Sequence, residues 1–275
     1  MDILHAILLG IVEGITEFLP ISSTGHLTIT ERLLGYDIND PAITAFTAFI
    51  QTGATLATVL YFREDIKRVF IAWIRGFRSP RARNADYRLG WGVIIGSIPI
   101  AIVGITFKDQ IETTLRSMWL VAIGLLVWSA VMYVTERYAK QDRSEKQVTW
   151  KDTLFVGVVQ CLALVPGVSR SGATISASFM RGFDRLTATR LAFFLSIPAL
   201  MAAGILQVTT HASDIGERVG WVPTIVATVV SFFVAYVAVA WLLKFIAGHS
   251  FKSFILYRVV LGGVLIVLLA TGVLS

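Results

Sequence analysis

Two segments of this chain, residues 10–26 and 157–174, carry the same run of polar and turn-forming residues inside otherwise apolar surroundings. Each sets a Gly three residues before a Glu or Gln (Gly10 and Glu13, Gly157 and Gln160), then a Pro (Pro20, Pro166), then a Ser-rich turn closed by Gly (Gly25, Gly172). A backbone broken in this way frees N–H and C=O groups, and at membrane depth such groups survive only where protein encloses them or they line a cavity. A broken segment written twice therefore restricts the chain to folds that build one polar site at depth from two repeats.

The surroundings are those of a polytopic membrane protein: 55% of the residues are hydrophobic, 15% are charged, and the mean hydropathy is +0.72. Apolar stretches of spanning length run at about 42–62, 89–105, 118–135, 191–209, 222–243 and 254–274, with Trp91, Trp119, Trp221 and Trp241 near their boundaries. Arg258, near one end of the last stretch, is expected to reach back to the headgroups. The start of the chain lacks the basic region and cleavage site of a secretory signal, so no processing is expected. A lone cysteine, Cys161, excludes an internal disulfide and reads as a small packing residue.

Cytoplasmic connections keep the excess of Lys and Arg. The segment 63–88 holds eight and is placed inside as a solvated loop; alternation then puts 136–152, 181–190 and 244–258 inside, and 106–117 and 210–221 outside. The tally is nineteen inside against four outside, with Arg170 left over. The net charge of +6 thus expresses topology and gives no reason to expect nucleic acid as a partner. The count closes only if neither motif segment crosses the membrane. The expected fold is an all-α polytopic membrane protein with an inverted-topology repeat: six transmembrane helices plus two re-entrant helical hairpins, broken at Pro20 and at Pro166-Gly167. The whole of 1–275 forms one membrane domain, with repeat one at about 1–135, repeat two at about 153–275, and both termini extracytoplasmic.

The hairpins hold the chemistry. Glu13 and Glu17 are spaced i, i+4, so both carboxylates leave one helix face. A charged residue at mid-membrane costs about 2.5 to 3.5 kcal/mol on translocon scales, so two Glu and Arg170 must be paired, hydrated or metal-bound. A plain Glu17–Arg170 ion pair that locks the repeats together is the structural alternative. The turn Ser22, Ser23, Thr24, Gly25, His26 offers hydroxyls, free N–H groups and an imidazole, the minimum for an activated nucleophile or a proton relay. The second turn, Ser169, Arg170, Ser171, Gly172, opens a helix and suits an anion, with phosphate its natural occupant. Together these describe phosphoryl transfer on a lipid phosphate, aided by Mg²⁺ or Ca²⁺ on Glu13 and Glu17.

Residues 13–26 and 166–174 closely resemble the two signature motifs of the undecaprenyl-diphosphate phosphatases linked to bacitracin resistance, and the resemblance runs essentially the length of the chain. It implies a cell-membrane hydrolase that removes the terminal phosphate of the polyprenyl diphosphate carrier and returns the monophosphate to cell-wall synthesis, at a site opening to the extracytoplasmic side. Carried onto this sequence, it gives Glu17 and Glu13 to metal or proton transfer, Arg170 to clamping phosphate, and Ser23 and His26 to the reactive pair. Ser23 is favoured as the attacking group with His26 as base or acid; His26 itself or an activated water is the alternative. Ser22, Thr24, Ser169, Ser171 and Thr174 supply the oxygen-binding shell, membrane lipids surround the protein, and self-association is left open. A second lipid phosphatase superfamily needs a histidine seven residues after Ser169, where this chain has Ser176. A transporter or lipid flippase for a polyprenyl phosphate is the rival from another class, since inverted repeats also serve alternating access; a purely structural membrane protein ranks third.

Overall fold

The computed structural model describes residues 1–107, 110–111 and 117–273. In chain order the α-helices are α1 (Ile3–Thr16), α2 (Ser23–Leu33), α3 (Pro41–Tyr61), α4 (Arg63–Arg78), α5 (Ala85–Thr106), α6 (Met118–Tyr138), α7 (Trp150–Gln160), α8 (Arg170–Met180), α9 (Arg185–Asp214), α10 (Trp221–Ile246) and α11 (Lys252–Ala270). Six of them, α3, α5, α6, α9 over Arg185–Gln207, α10 and α11, are long and apolar enough to cross a membrane, at the positions the hydropathy anticipates. Even α11, 19 residues long, reaches roughly 30 Å, the thickness of the hydrocarbon core.

One connection differs from expectation. The basic segment 63–88, read as a solvated loop, contains the helix α4, of which only Ala72 and Gly76 are buried. Phe70, Trp73 and Phe77 recur at helical spacing; Trp73 contacts both phenylalanine rings, and Trp73 and Phe77 contact Trp91 of α5. The charge count gave weight to the arginines and overlooked this apolar stripe.

The two motif segments take the same shape, a short helix, a break and a second short helix. In the first, α1 starts at an Asp2 cap and α2 ends where His5 Nδ1 meets the Tyr36 hydroxyl at 2.9 Å. In the second, a 3₁₀ turn (Cys161–Leu164) follows α7, and Arg181, just beyond α8, returns to Asp152 in the first turn of α7 at 2.7 Å. Each pair thus begins and ends at one end of the molecule. Their partners are exchanged: α1 lies along α10 while α7 lies along α5, and α3 packs on α9 as α6 packs on α11. The motif's first glycine is explained by these crossings. A methyl group at Gly10 would strike the main chain of Ala227, and one at Gly157 would strike that of Gly96.

The connections that the charge count grouped together do share one end. Arg68 reaches Asp65, Asp86 and Glu145; Arg190 joins Asp65 to Glu145; Arg185 binds Glu136, which also accepts the Phe251 N–H. Arg143 and Arg181 both bind the fully buried Asp152, each at 2.7 Å. Burial alone would raise the Asp152 carboxyl, but hydrogen bonds from Arg143, Thr149 and Arg181 outweigh it and hold the group well below the usual carboxylate range. At the opposite end the amino terminus binds Val219 O, Arg218 binds Asp40, and Ile38 packs with Met118 and Leu269. Of the other basic residues assigned to the outside, Lys108 and Arg116 lie outside the described residues.

Candidate active site

The breaks of the two motif segments meet in the interior. Ser22 and Ser169 cap α2 and α8 and share an unusual backbone, φ +75° in both. A non-glycine residue held there costs on the order of 1–3 kcal/mol. Each Ser hydroxyl accepts the N–H of the glycine three residues on, Gly25 and Gly172, and a Cβ at either glycine would press on that Ser side chain at 3.3 Å. The Ser171 hydroxyl then crosses between segments and donates to Leu19 O at 3.0 Å.

Glu13 and Glu17 stand one turn apart at the end of α1. Glu17 Oε2 accepts the Ser23 hydroxyl at 2.5 Å, and its Oε1 lies 3.7 Å from Arg170 Nη1. Glu13 is fully buried and its carboxylate oxygens, like the buried Arg170 Nη1, have no hydrogen-bond partner among the described residues. Glu17, Ser22, Ser23, Thr24, Ser169 and Arg170 line a crevice of about 20 Å³ between the turns. A larger cavity, about 260 Å³, lies at the arginine-rich end among Tyr133, Glu136, Arg137 and Arg185 and includes none of the motif residues.

The remaining motif residues are placed otherwise. The Thr174 hydroxyl is spent inside α8, donating to Arg170 O and Ser171 O, and Ser171 joins Ser169 to Leu19. His26 makes no hydrogen bond to Ser23; its Nδ1 bonds to Ser22 O at 2.7 Å and its Nε2 to the Tyr257 hydroxyl at 2.6 Å. A carbonyl only accepts, so Nδ1 carries the proton, and in the neutral ring Nε2 accepts from Tyr257. The two rings lie nearly parallel, 9° apart.

Next to Tyr257, Arg258 corrects a sequence expectation. It does not reach the headgroups but is 0% exposed, donating to Ser129 Oγ, Pro20 O, Gly167 O and Val168 O at 2.9 to 3.2 Å. The free carbonyls of the two breaks offer it partners that lipid does not.

The family described as "Bacitracin resistance protein BacA" matches residues 6–264. This chain belongs to the BacA family. Among its relatives, "Undecaprenyl-diphosphatase 3" of Frankia casuarinae is 63% identical over 276 residues, covering 100% of this chain and 99% of its own. "Undecaprenyl-diphosphatase" of Cutibacterium acnes is 55% identical, covering 100% of both chains, and that of Mycolicibacterium smegmatis is 48% identical over 100% of this chain and 99% of its own.

In this BacA-family chain, the Ser23–Glu17 contact is a hydroxyl held on a carboxylate, the juxtaposition that activates an oxygen nucleophile. Arg170 stands beside it as a cation with donors to spare. Among the described residues no group of three His, Cys, Asp or Glu side chains gathers as metal ligands. A hard divalent ion is nevertheless held in many phosphoryl-transfer sites by one or two carboxylates plus substrate oxygens, and the unpartnered oxygens of Glu13 beside Glu17 fit that donor set. Sequence reasoning missed Tyr257 and Arg258 as neighbours of the site. The signal available was a lone arginine in an apolar span, which at membrane depth marks function by default.

Proposed function

We propose that the chain is an integral membrane phosphatase that hydrolyses undecaprenyl diphosphate to the monophosphate and phosphate, recycling the lipid carrier for cell-wall synthesis. Membership of the BacA family, and relatives called undecaprenyl-diphosphatase over the full chain length, support the substrate and reaction class. The observation that carries the mechanism is the 2.5 Å hydrogen bond from Ser23 to Glu17 beside Arg170.

Ser23 Oγ attacks the terminal phosphorus while Glu17 takes its proton. The anhydride P–O bond breaks, undecaprenyl monophosphate leaves with the proton that Glu17 had taken, and the phosphoryl group stays on Ser23. Water then attacks that phosphorus and gives a proton to the freed Glu17 carboxylate; the Ser23 Oγ–P bond breaks, Glu17 returns the proton to Ser23 Oγ, and inorganic phosphate leaves. Arg170 and the N–H groups at the start of α8 bind the charge on the equatorial oxygens. Glu13 and Glu17 would hold Mg²⁺ or Ca²⁺, whose charge would offset that of the diphosphate when bound. His26, through Tyr257, takes the place of a proton relay at the edge of the turn rather than that of the direct base. The crevice between the turns, about 20 Å³, is the space of one water beside Ser23 and Arg170.

The two short-helix pairs are re-entrant, dipping into the bilayer from opposite faces in an inverted-topology repeat. The arginine-rich end faces the cytoplasm by the positive-inside rule, which leaves both termini outside. The active site opens to that outer side, as the family resemblance implies.

The test is phosphate release from a polyprenyl diphosphate by purified protein with Mg²⁺, for wild type and for Ser23→Ala, Arg170→Ala and His26→Ala. Loss in the Ser23 and Arg170 variants supports the site; unchanged release in all three refutes it. A transporter or flippase would instead move the lipid without consuming it.

A further inference from the structure

The mechanism above uses residues of the two motif segments, but a third element fastens them together. Arg258 of α11 is fully buried and has no carboxylate in ion-pair distance among the described residues. Its guanidinium is shared out among main-chain carbonyls instead: Nη1 to Pro20 O at 3.2 Å, and Nη2 to Gly167 O at 2.9 Å and Val168 O at 3.1 Å. Nε is anchored on Ser129 Oγ of α6 at 3.1 Å. Pro20 lies two residues before the strained Ser22, and Gly167 and Val168 directly precede the strained Ser169.

One rigid side chain therefore touches both breaks just ahead of the residues that carry Ser23 and Arg170. Because the C=O and N–H of a trans peptide point opposite ways, drawing Val168 O toward Arg258 turns the Ser169 N–H away from it. The planar fork satisfies several acceptors in fixed directions, which an ammonium on a flexible stem does not reproduce.

Resting on the phosphatase site argued above, we propose that Arg258 is a positioning residue for phosphoryl transfer. Its fork sets the distance and orientation of the two turns relative to each other, and hence of the Ser23 hydroxyl relative to Arg170. The geometry of the guanidinium matters, beyond its charge. The residue acts through the turns and does not touch the substrate.

The experiment compares Arg258→Lys, Arg258→Met and Ser129→Ala with wild type, in detergent with a polyprenyl diphosphate and Mg²⁺. It measures kcat and KM per folded molecule, with the thermal midpoint and a monodisperse chromatographic peak as the check on folding. Misplacement of reacting groups by about 1 Å costs on the order of 100-fold, so Arg258→Lys should lose about that factor in kcat while KM moves by less than about threefold. Ser129→Ala, which removes only the anchor of Nε, should lose about fivefold in kcat with its fold intact, and it decides the matter alone if both Arg258 variants fail to fold. Lysine retaining wild-type kcat would overturn the proposal, as would Ser129→Ala at full activity. Ser23→Ala and Arg170→Ala run alongside: if they stay active, the site itself is wrong, whereas if they are dead and Arg258→Lys is not, only the positioning role falls.

Discussion

The two motif turns have one backbone and two chemistries. Ser22 and Ser169 share the same φ, cap their helices through the same glycine contact and follow a proline. Matched on these caps, Ser23 corresponds to Arg170, Thr24 to Ser171, and His26 to Ala173. One turn therefore supplies a hydroxyl and an imidazole where the other supplies a guanidinium and a methyl group. Upstream, the acid Glu13 corresponds to the amide Gln160; both are fully buried with unpartnered polar atoms. A shared backbone solves the problem common to both, holding exposed peptide groups at depth, while in the proposed mechanism the side chains divide attack from charge neutralisation.

The sharpest way to break this division is at its nucleophile. Ser23→Ala should lower kcat by about 10³-fold or more, as removal of a nucleophile does elsewhere, with the thermal midpoint unchanged; phosphate release near the wild-type rate would place the attack on another group. Arg170→Ala should cost about 10²- to 10³-fold, the usual range for removing a donor from transition-state charge. Arg170→Lys should recover only part of that, since an ammonium lacks the fork. Next is Tyr257→Phe, which frees His26 Nε2 while keeping the ring stack. It is expected to lower kcat by about tenfold, less than general acid–base catalysis contributes when removed outright, with KM unaltered, and equal activity would confine His26 to a structural role.

The smallest effect belongs to the arginine-rich end and leaves catalysis alone. Asp152→Asn should cost about 1–3 kcal/mol of stability at neutral pH, read as a lower melting temperature. The sign with pH follows from the lowered carboxyl. Its contribution is present above the ordinary carboxylate pKa near 4 and fades as pH falls below that toward the native value. Wild type and variant should therefore converge in acid; a constant gap down to pH 3 would contradict this.

The six spans could be read directly because hydropathy over about 20 residues is a local property, and a bilayer leaves a chain few other uses for it. The grouping of connections at one end was also available, from the count of lysines and arginines. The helix at 63–78 escaped because its stripe of Phe70, Trp73 and Phe77 is diluted by the charges beside it. Of the site, Glu17, Ser23 and Arg170 could be anticipated from the repeated motif, and they do converge. The pairing of Ser23 with Glu17 rather than His26 could not, since a spacing of three residues says only that Ser23 and His26 are near. Nor could the bonds of Tyr257 to His26 and of Arg258 to Pro20, which join residues more than 230 positions apart. No local pattern encodes a contact of that range.

The central claim is that Ser23, activated by Glu17, takes the phosphoryl group. The most direct test is to incubate the protein briefly with polyprenyl diphosphate labelled in its terminal phosphate, quench separate portions in acid and in base, and locate the label by peptide mass spectrometry. The account predicts label on the peptide bearing Ser23, stable in acid, absent from Ser23→Ala and lowered in Glu17→Gln. Label on His26, stable in base and lost in acid, or turnover with no labelled protein at any time, would contradict it.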